Sequence, residues 1–124
     1  NLDNNLIFIS ATFQGKKDSK TNIKKKTNDL IERKKNDQPS KIKTCGSTFK
    51  NPENQKAWKL IKDSGCSGLK IGDAQISEKH CNFFVNKGNA KSKDLENLIN
   101  QVRVRVLDKT GIDLKLELQI IGDE

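Results

Sequence analysis

"CGSTFKNPENQKAWKLIKDSG", residues 45–65, carries a short extended run into strong helix punctuation. The spacing predicts a helix with Asn51 at the N-cap and Pro52 at the first helical position. Ala57, Leu60 and Ile61 would share one face, and Gly65 would stop it. Ser47 then lies just ahead of a helix start, where unpaired backbone N–H groups and the positive end of the dipole suit a phosphate or diphosphate. Lys50 and Asn51 add a cation and an amide at the same end. The plainer reading, a serine in a turn that enters a helix, stands beside it.

On either side of this stretch the chain alternates elements. "NLIFISATF" (5–13) reads as a strand. Residues 20–36 read as a basic helix with a thin apolar stripe of Ile23, Leu30 and Ile31, ending before Gln38-Pro39. "GLKIGDAQIS" (68–77) and "HCNFFVNKG" (80–88) read as two strands joined by the short Glu78-Lys79 turn. A third helix covers about 93–109, capped by Ser92 and ended by Gly111, with Leu95, Leu98, Ile99, Val102 and Val106 at helical spacing. "DLKLELQIIG" (113–122) alternates, with Leu114, Leu116, Leu118 and Ile120 facing one way and Lys115, Glu117 and Gln119 the other. Trp58 reads as core. The pattern predicts an α+β domain, a mixed β-sheet covered by two to three helices.

Bulk properties bound the function. A chain of 124 residues is one domain's worth, and it is lean, 32% apolar against 32% charged. It holds no apolar run near the roughly 18–20 residues of a membrane span, and no signal-like leader. The absence of Met, with Asn at position 1, suggests a processed chain or a piece of a longer one. The net charge of +8 is uneven, because residues 1–44 hold eleven Lys and Arg against five Asp and Glu. Aromatic residues are scarce in that strip, so stacking platforms for single-stranded nucleic acid are missing, and a solvated basic helix is the simpler reading. The excess Lys, Asn and Ile also matches the composition that an AT-rich genome favours.

Cys45, Cys66 and Cys81 are odd in number and contain no paired CxxC, which argues against a disulfide framework and a zinc site. No metal is expected. His80 beside Cys81 suggests a dyad, but in a strand neighbouring side chains point to opposite faces. Free thiols in a reducing compartment follow, and with them a cytoplasmic location. A cysteine hydrolase would need a third orienting group that the sequence does not offer.

Taken together, "SATF", "QP", "CGSTFKNP", "AWKLIKDSGCSGLKIGDAQISEKHCNFFVN", "DLENLI" and "GIDLKLELQIIG" fall in one order and spacing. The chain resembles the C-terminal part of the UDP-N-acetylenolpyruvoylglucosamine reductases, over residues 5 to 122. The compact connection from Ser10 to Lys41 is similar to the shorter of that family's two architectures. The resemblance implies residues 1–40 as the tail of a preceding FAD-binding region with a basic connecting helix, and residues 41–124 as the substrate-binding domain. It implies a reaction of peptidoglycan precursor synthesis in which NADPH and FAD supply hydride to the enolpyruvyl ether of the nucleotide sugar. A serine, here Ser47, then protonates the enol carbon, and a glutamate, here Glu117, stabilises the enol. Lys50 and Asn51 correspond to positions near the diphosphate, His80 and Asn82 to the strand lining the cleft, and Gln119 to a position that is often basic. The implied partners are UDP-N-acetylglucosamine enolpyruvate and the N-terminal FAD-binding domain, in a monomer that binds neither nucleic acid nor membrane. No Gly-rich phosphate loop suited to FAD lies in these residues. This segment alone is therefore expected to be inactive. A small basic nucleic-acid-binding domain is the alternative reading.

Overall fold

A computed structural model describes residues 6–122. The ordered elements are α1 (Lys20–Asp37), β1 (Lys43–Ser47), α2 (Ala57–Asp63), β2 (Lys70–Ile71), β3 (Ala74–Ile76), β4 (Phe83–Asn86) and α3 (Ser92–Thr110). The strands form one sheet in the order β1-β4-β3-β2. The α+β expectation holds, but every strand pair is antiparallel rather than mixed. Two-residue and short turns join β2 to β3 and β3 to β4, and such turns connect antiparallel neighbours only.

Helix α3 is the organising element. Leu98, Ile99, Val102 and Val106 form its buried stripe, and it packs against β2, β3 and α2. Its first turn is closed by Asp94, whose Oδ2 accepts from the Lys91 N–H at 2.9 Å. Lys91 rather than Ser92 thus holds the cap position. Gly111 stops the helix as expected, with φ 71° and its N–H donating to the Leu107 carbonyl at 2.8 Å. Phe49, Ile61, Ile76, Phe84 and Leu114 complete the core around it. Phe49 and Phe84 meet edge to face at 5.9 Å.

Four local expectations are corrected. Residues 6–13 lie in no strand; their apolar side chains are exposed and their backbone joins no ladder, which is what makes an extended run a strand. Asn5, the first residue of that run, lies outside the described residues. Residues 68–77 are not one strand but a hairpin turning at Gly72-Asp73, where Gly72 takes φ 54°. Helix α2 starts at Ala57, not Pro52, because Asn54 sits at φ 57° and a left-handed residue cannot continue a right-handed helix. The final segment forms a single bridge, Phe49 to Leu116, instead of a full strand. Its alternation survives through Leu114, Leu116 and Leu118, but Ile120 is 52% exposed.

Helix α1 has the predicted extent and end, since Gln38, preceding Pro39, is extended. It buries no residue, and Ile23, Leu30 and Ile31 remain exposed. Its N-terminus is capped by Ser19, whose Oγ accepts from the Asn22 N–H at 3.2 Å. Asp18 pairs with Lys26 at 2.8 Å, a contact that with Asn22 and the Ser19 N–H holds its carboxyl below the usual range. At the far end Lys79 Nζ donates to the Lys35 carbonyl.

Candidate functional site

The ladder at the end of β1 gathers most of the expected site. Between Thr44 and Ser47 the pairing with β4 slips, and Gly46 takes φ 88° in that bulge. Ser47, half-buried, then faces Phe83 across the sheet. The next residues are held on both sides. Thr48 N–H donates to the Asn82 carbonyl at 2.8 Å, and the Glu117 N–H donates to the Thr48 carbonyl at 2.9 Å. Lys50 N–H donates to the Lys115 carbonyl at 2.9 Å. One three-residue stretch therefore ties the neighbour of Ser47 to Asn82 on one edge and to Glu117 on the other. The Lys50 and Glu117 side chains are exposed.

The asparagines have uses inside the domain. Asn51 Oδ1 accepts from the Ala57 N–H at 3.0 Å, so it caps α2 from six residues away. Asn82 is 4% exposed and pairs with both backbone groups of Phe49. The helix-end anion site expected beside Ser47 is absent for this reason: α2 has seven residues and begins ten positions after the serine.

His80 is not on a strand, which corrects the premise used to separate it from Cys81. Both lie in the connection between β3 and β4, where the Phe83 N–H donates to the His80 carbonyl at 2.9 Å. The His80 ring stands edge-on to Phe83 at 4.7 Å and 6.3 Å from Trp58, and its buried Nδ1 has no hydrogen-bond partner. Burial lowers its pKa, opposed by the residue's own backbone and by the charge of Asp37. Trp58 is 39% exposed, so this ring is only partly core. Cys66 and Cys81 are buried and Cys45 is exposed, all as free thiols. Burial pushes the Cys66 thiol up. Among the described residues no group of three or more His, Cys, Asp or Glu is placed to hold a metal ion.

A cleft of about 710 Å³ opens between β1, α3 and the C-terminal segment. Apolar Phe84, Leu95 and Ile99 form its floor, with Lys43, Cys45 and Gln119 among its polar lining. Gln119 is the one expected site residue that lines it. Thr48, which sequence reasoning did not single out, is buried and also borders this cleft.

The described residues offer no glycine-led helix start of the kind that takes a dinucleotide pyrophosphate. The positions before α1, α2 and α3 are Ser19, Lys56 and Lys91, so no glycine turn delivers a helix start to a pyrophosphate. Gly46 lies in a strand bulge instead.

The domain is an antiparallel sheet carrying one packed helix layer, in which the residue after a half-buried serine is tied by a single backbone bond to a glutamate of the C-terminal segment. Residues 38–121 match the family model "UDP-N-acetylenolpyruvoylglucosamine reductase, C-terminal domain", and the chain belongs to that family. It is 50% identical over 123 residues to the UDP-N-acetylenolpyruvoylglucosamine reductase of Pelagibacter ubique, covering 97% of this chain and 41% of that protein. The same-named protein of a Wolbachia from Drosophila simulans is 47% identical over 121 residues, covering 98% of this chain and 41% of the relative. This chain thus spans about two fifths of the length of these curated relatives. The crystal structure of UDP-N-acetylenolpyruvylglucosamine reductase from Thermus caldophilus superposes with a TM-score of 0.71 at 36% identity. That match covers 84% of this chain and 36% of the crystallised one.

Proposed function

We propose that this chain is the nucleotide-sugar-binding part of a cytoplasmic reductase that converts UDP-N-acetylglucosamine enolpyruvate to UDP-N-acetylmuramate for peptidoglycan. Residues 1–40 belong to the connection with the remaining enzyme, where FAD and NADPH supply the hydride. Residues 41–124 bind the nucleotide sugar and deliver a proton. The observation that carries this reading is the link between Ser47 and Glu117. The carbonyl of Thr48, the residue after the serine, accepts the Glu117 N–H at 2.9 Å.

The residues divide the work as follows. Ser47 donates its hydroxyl proton to the enol carbon and recovers one from solvent. A neutral hydroxyl is a poor acid, so donors and a nearby cation must stabilise its conjugate base as the proton leaves. Lys50, three residues along, is the nearest cation on the same stretch. The Glu117 carboxylate accepts the hydrogen bond of the enol hydroxyl. Lys50 and the free amide hydrogens of Asn51 meet the diphosphate, Gln119 borders the cleft between β1, α3 and the C-terminal segment, and His80 meets the substrate from the connection between β3 and β4.

Titrating the 124-residue chain with UDP-N-acetylglucosamine tests the binding half of the proposal. Affinity is expected to be about millimolar, because only part of the site is present. Backbone amide shifts should cluster at residues 46–53 and 115–119. Shifts confined to residues 16–35 would mean that the ligand samples only the basic helix, and the reading would fail.

A further inference from the structure

We propose that Asn82 is a positioning residue whose side-chain amide holds the backbone of Phe49, and through it the Ser47 hydroxyl and Glu117, in register for proton delivery. This inference rests on the roles assigned to Ser47 and Glu117 above.

The ladder between β1 and β4 fails where it matters most. It slips between Thr44 and Ser47, and β4 begins only at Phe83, after the chain has turned at residues 80–83. Phe49 therefore has no backbone partner on that edge. Asn82 takes the place of one. Its Nδ2 donates to the Phe49 carbonyl at 2.8 Å, and its Oδ1 accepts from the Phe49 N–H at 2.9 Å. Its own carbonyl accepts from the Thr48 N–H at 2.8 Å. A carboxamide presents one donor and one acceptor in a plane, as a peptide group does, so it can complete a broken ladder.

Three hydrogen bonds from one buried residue thus fix the two positions that follow Ser47. The opposite edge of the same two positions carries Glu117 and Leu116. A shift of the 48–49 backbone would move the serine and the glutamate relative to each other. Misplacement by about an ångström is enough to cost a reaction that depends on near-attack geometry. Asn82 is 4% exposed and its amide is already paired, which separates it from residues that meet a ligand.

The aspartate variant makes the clamp switchable. In Asn82→Asp a carboxylate would still accept from the Phe49 N–H but would set a second acceptor against the Phe49 carbonyl. Protonated, the same group donates there and restores both bonds. Burial and that carbonyl raise its pKa above the ordinary carboxyl value. The titratable residues beside Phe49 and Asn82 in the chain are Lys50, His80 and Cys81, those on the bonded C-terminal segment are Lys115 and Glu117, and all are present in the parent chain, which supplies the control.

Two measurements test this from about pH 5 to 8, a range that a raised carboxyl pKa can enter. Amide exchange on the 124-residue chain reports protection at Phe49 and Glu117. Protection in Asn82→Asp should be near the parent's at the acid end and lost at the alkaline end, with Leu98 and Val102 unchanged. In the complete reductase carrying the same substitution, kcat relative to parent should fall ~10–100-fold above the same midpoint, with KM within about 3-fold. Full kcat with protection lost would overturn the proposal. So would a raised KM at unchanged kcat, which would place Asn82 on the substrate. Loss of protection throughout α3 would reduce Asn82 to general support. Normal turnover of Ser47→Ala would instead remove the functional reading, and the exchange result would still describe the clamp.

Discussion

Asn51 tests how helix α2 is built. Its Oδ1 reaches across the Pro52–Gln55 turn to accept the Ala57 N–H at 3.0 Å, in a half-buried setting. Asn51→Ala leaves that first helical N–H without its partner. Loss of such a cap costs about 1 kcal/mol, within a range of about 0.5–2. In a chain of 124 residues that corresponds to about 4 °C in Tm per kcal/mol. Asn51→Asp keeps the acceptor and adds negative charge at the helix start, so stability should stay within about 0.5 kcal/mol of the parent. The same aspartate faces the proposed diphosphate with the wrong sign, so shifts induced by UDP-N-acetylglucosamine should weaken. Urea unfolding of the three chains, with equal m-values, gives the comparison. If Asn51→Ala is as stable as the parent, or Asn51→Asp falls as far as the alanine variant, the long-range cap does not exist.

Further outcomes follow from burial. Leu98→Ala, at a fully buried position, should cost about 2–5 kcal/mol, whereas Leu30→Ala on the 66% exposed face of α1 should stay within about 0.5; comparable losses by urea unfolding would contradict the exposed helix. Because burial lowers the His80 pKa, the unfolded chain takes up its proton first on acidification. Stability from this group is full above about pH 6.5, declines below it towards the folded pKa, and then levels. His80→Leu should remove that slope, and urea midpoints that rise on acidification in the parent would refute the assignment. Mass spectrometry after brief alkylation should find Cys45 modified first, with Cys66 and Cys81 protected in the folded chain. Faster labelling of Cys66 would contradict its buried, high-pKa environment.

The elements legible in the sequence are those whose signal is local. Helix α3 announces itself through Leu98, Ile99, Val102 and Val106, and Gly111 ends it in the left-handed conformation that glycine favours. The chain after it shows its inward face in Leu114, Leu116 and Leu118. The hairpin at Gly72-Asp73 was readable but concealed. Leu69 and Ile71 share one parity while Ala74 and Ile76 share the other, a phase change that a two-residue turn produces. The start of α2 was not readable, since nothing in a pattern of caps reveals that Asn54 is left-handed or that Asn51 caps from six residues away.

The same contrast holds at the site. The family motifs mark Ser47 and Glu117 by resemblance, but the two lie 70 positions apart and are linked through the Thr48 backbone only once the chain is folded. The bonds between Asn82 and Phe49 link residues 33 apart, so no local pattern in the sequence announces them. Residues 6–13 show the opposite failure, since apolar, β-favouring side chains do not form a strand without a partner edge.

The proposed chemistry turns on Ser47 giving up a proton to the substrate. In the complete reductase the proposed reaction divides into two steps, with NADPH expected to reduce the enzyme on a first mixing and the enolpyruvyl nucleotide sugar expected to reoxidise it on a second. Ser47→Ala should leave the first step nearly unchanged and slow the second ~10²–10⁴-fold, or roughly 3–5 kcal/mol of barrier. Substrate affinity should change far less, and Ser47→Cys should recover part of the rate. Equal slowing of both steps, or loss of affinity alone, would return Ser47 to an ordinary residue at the end of a strand.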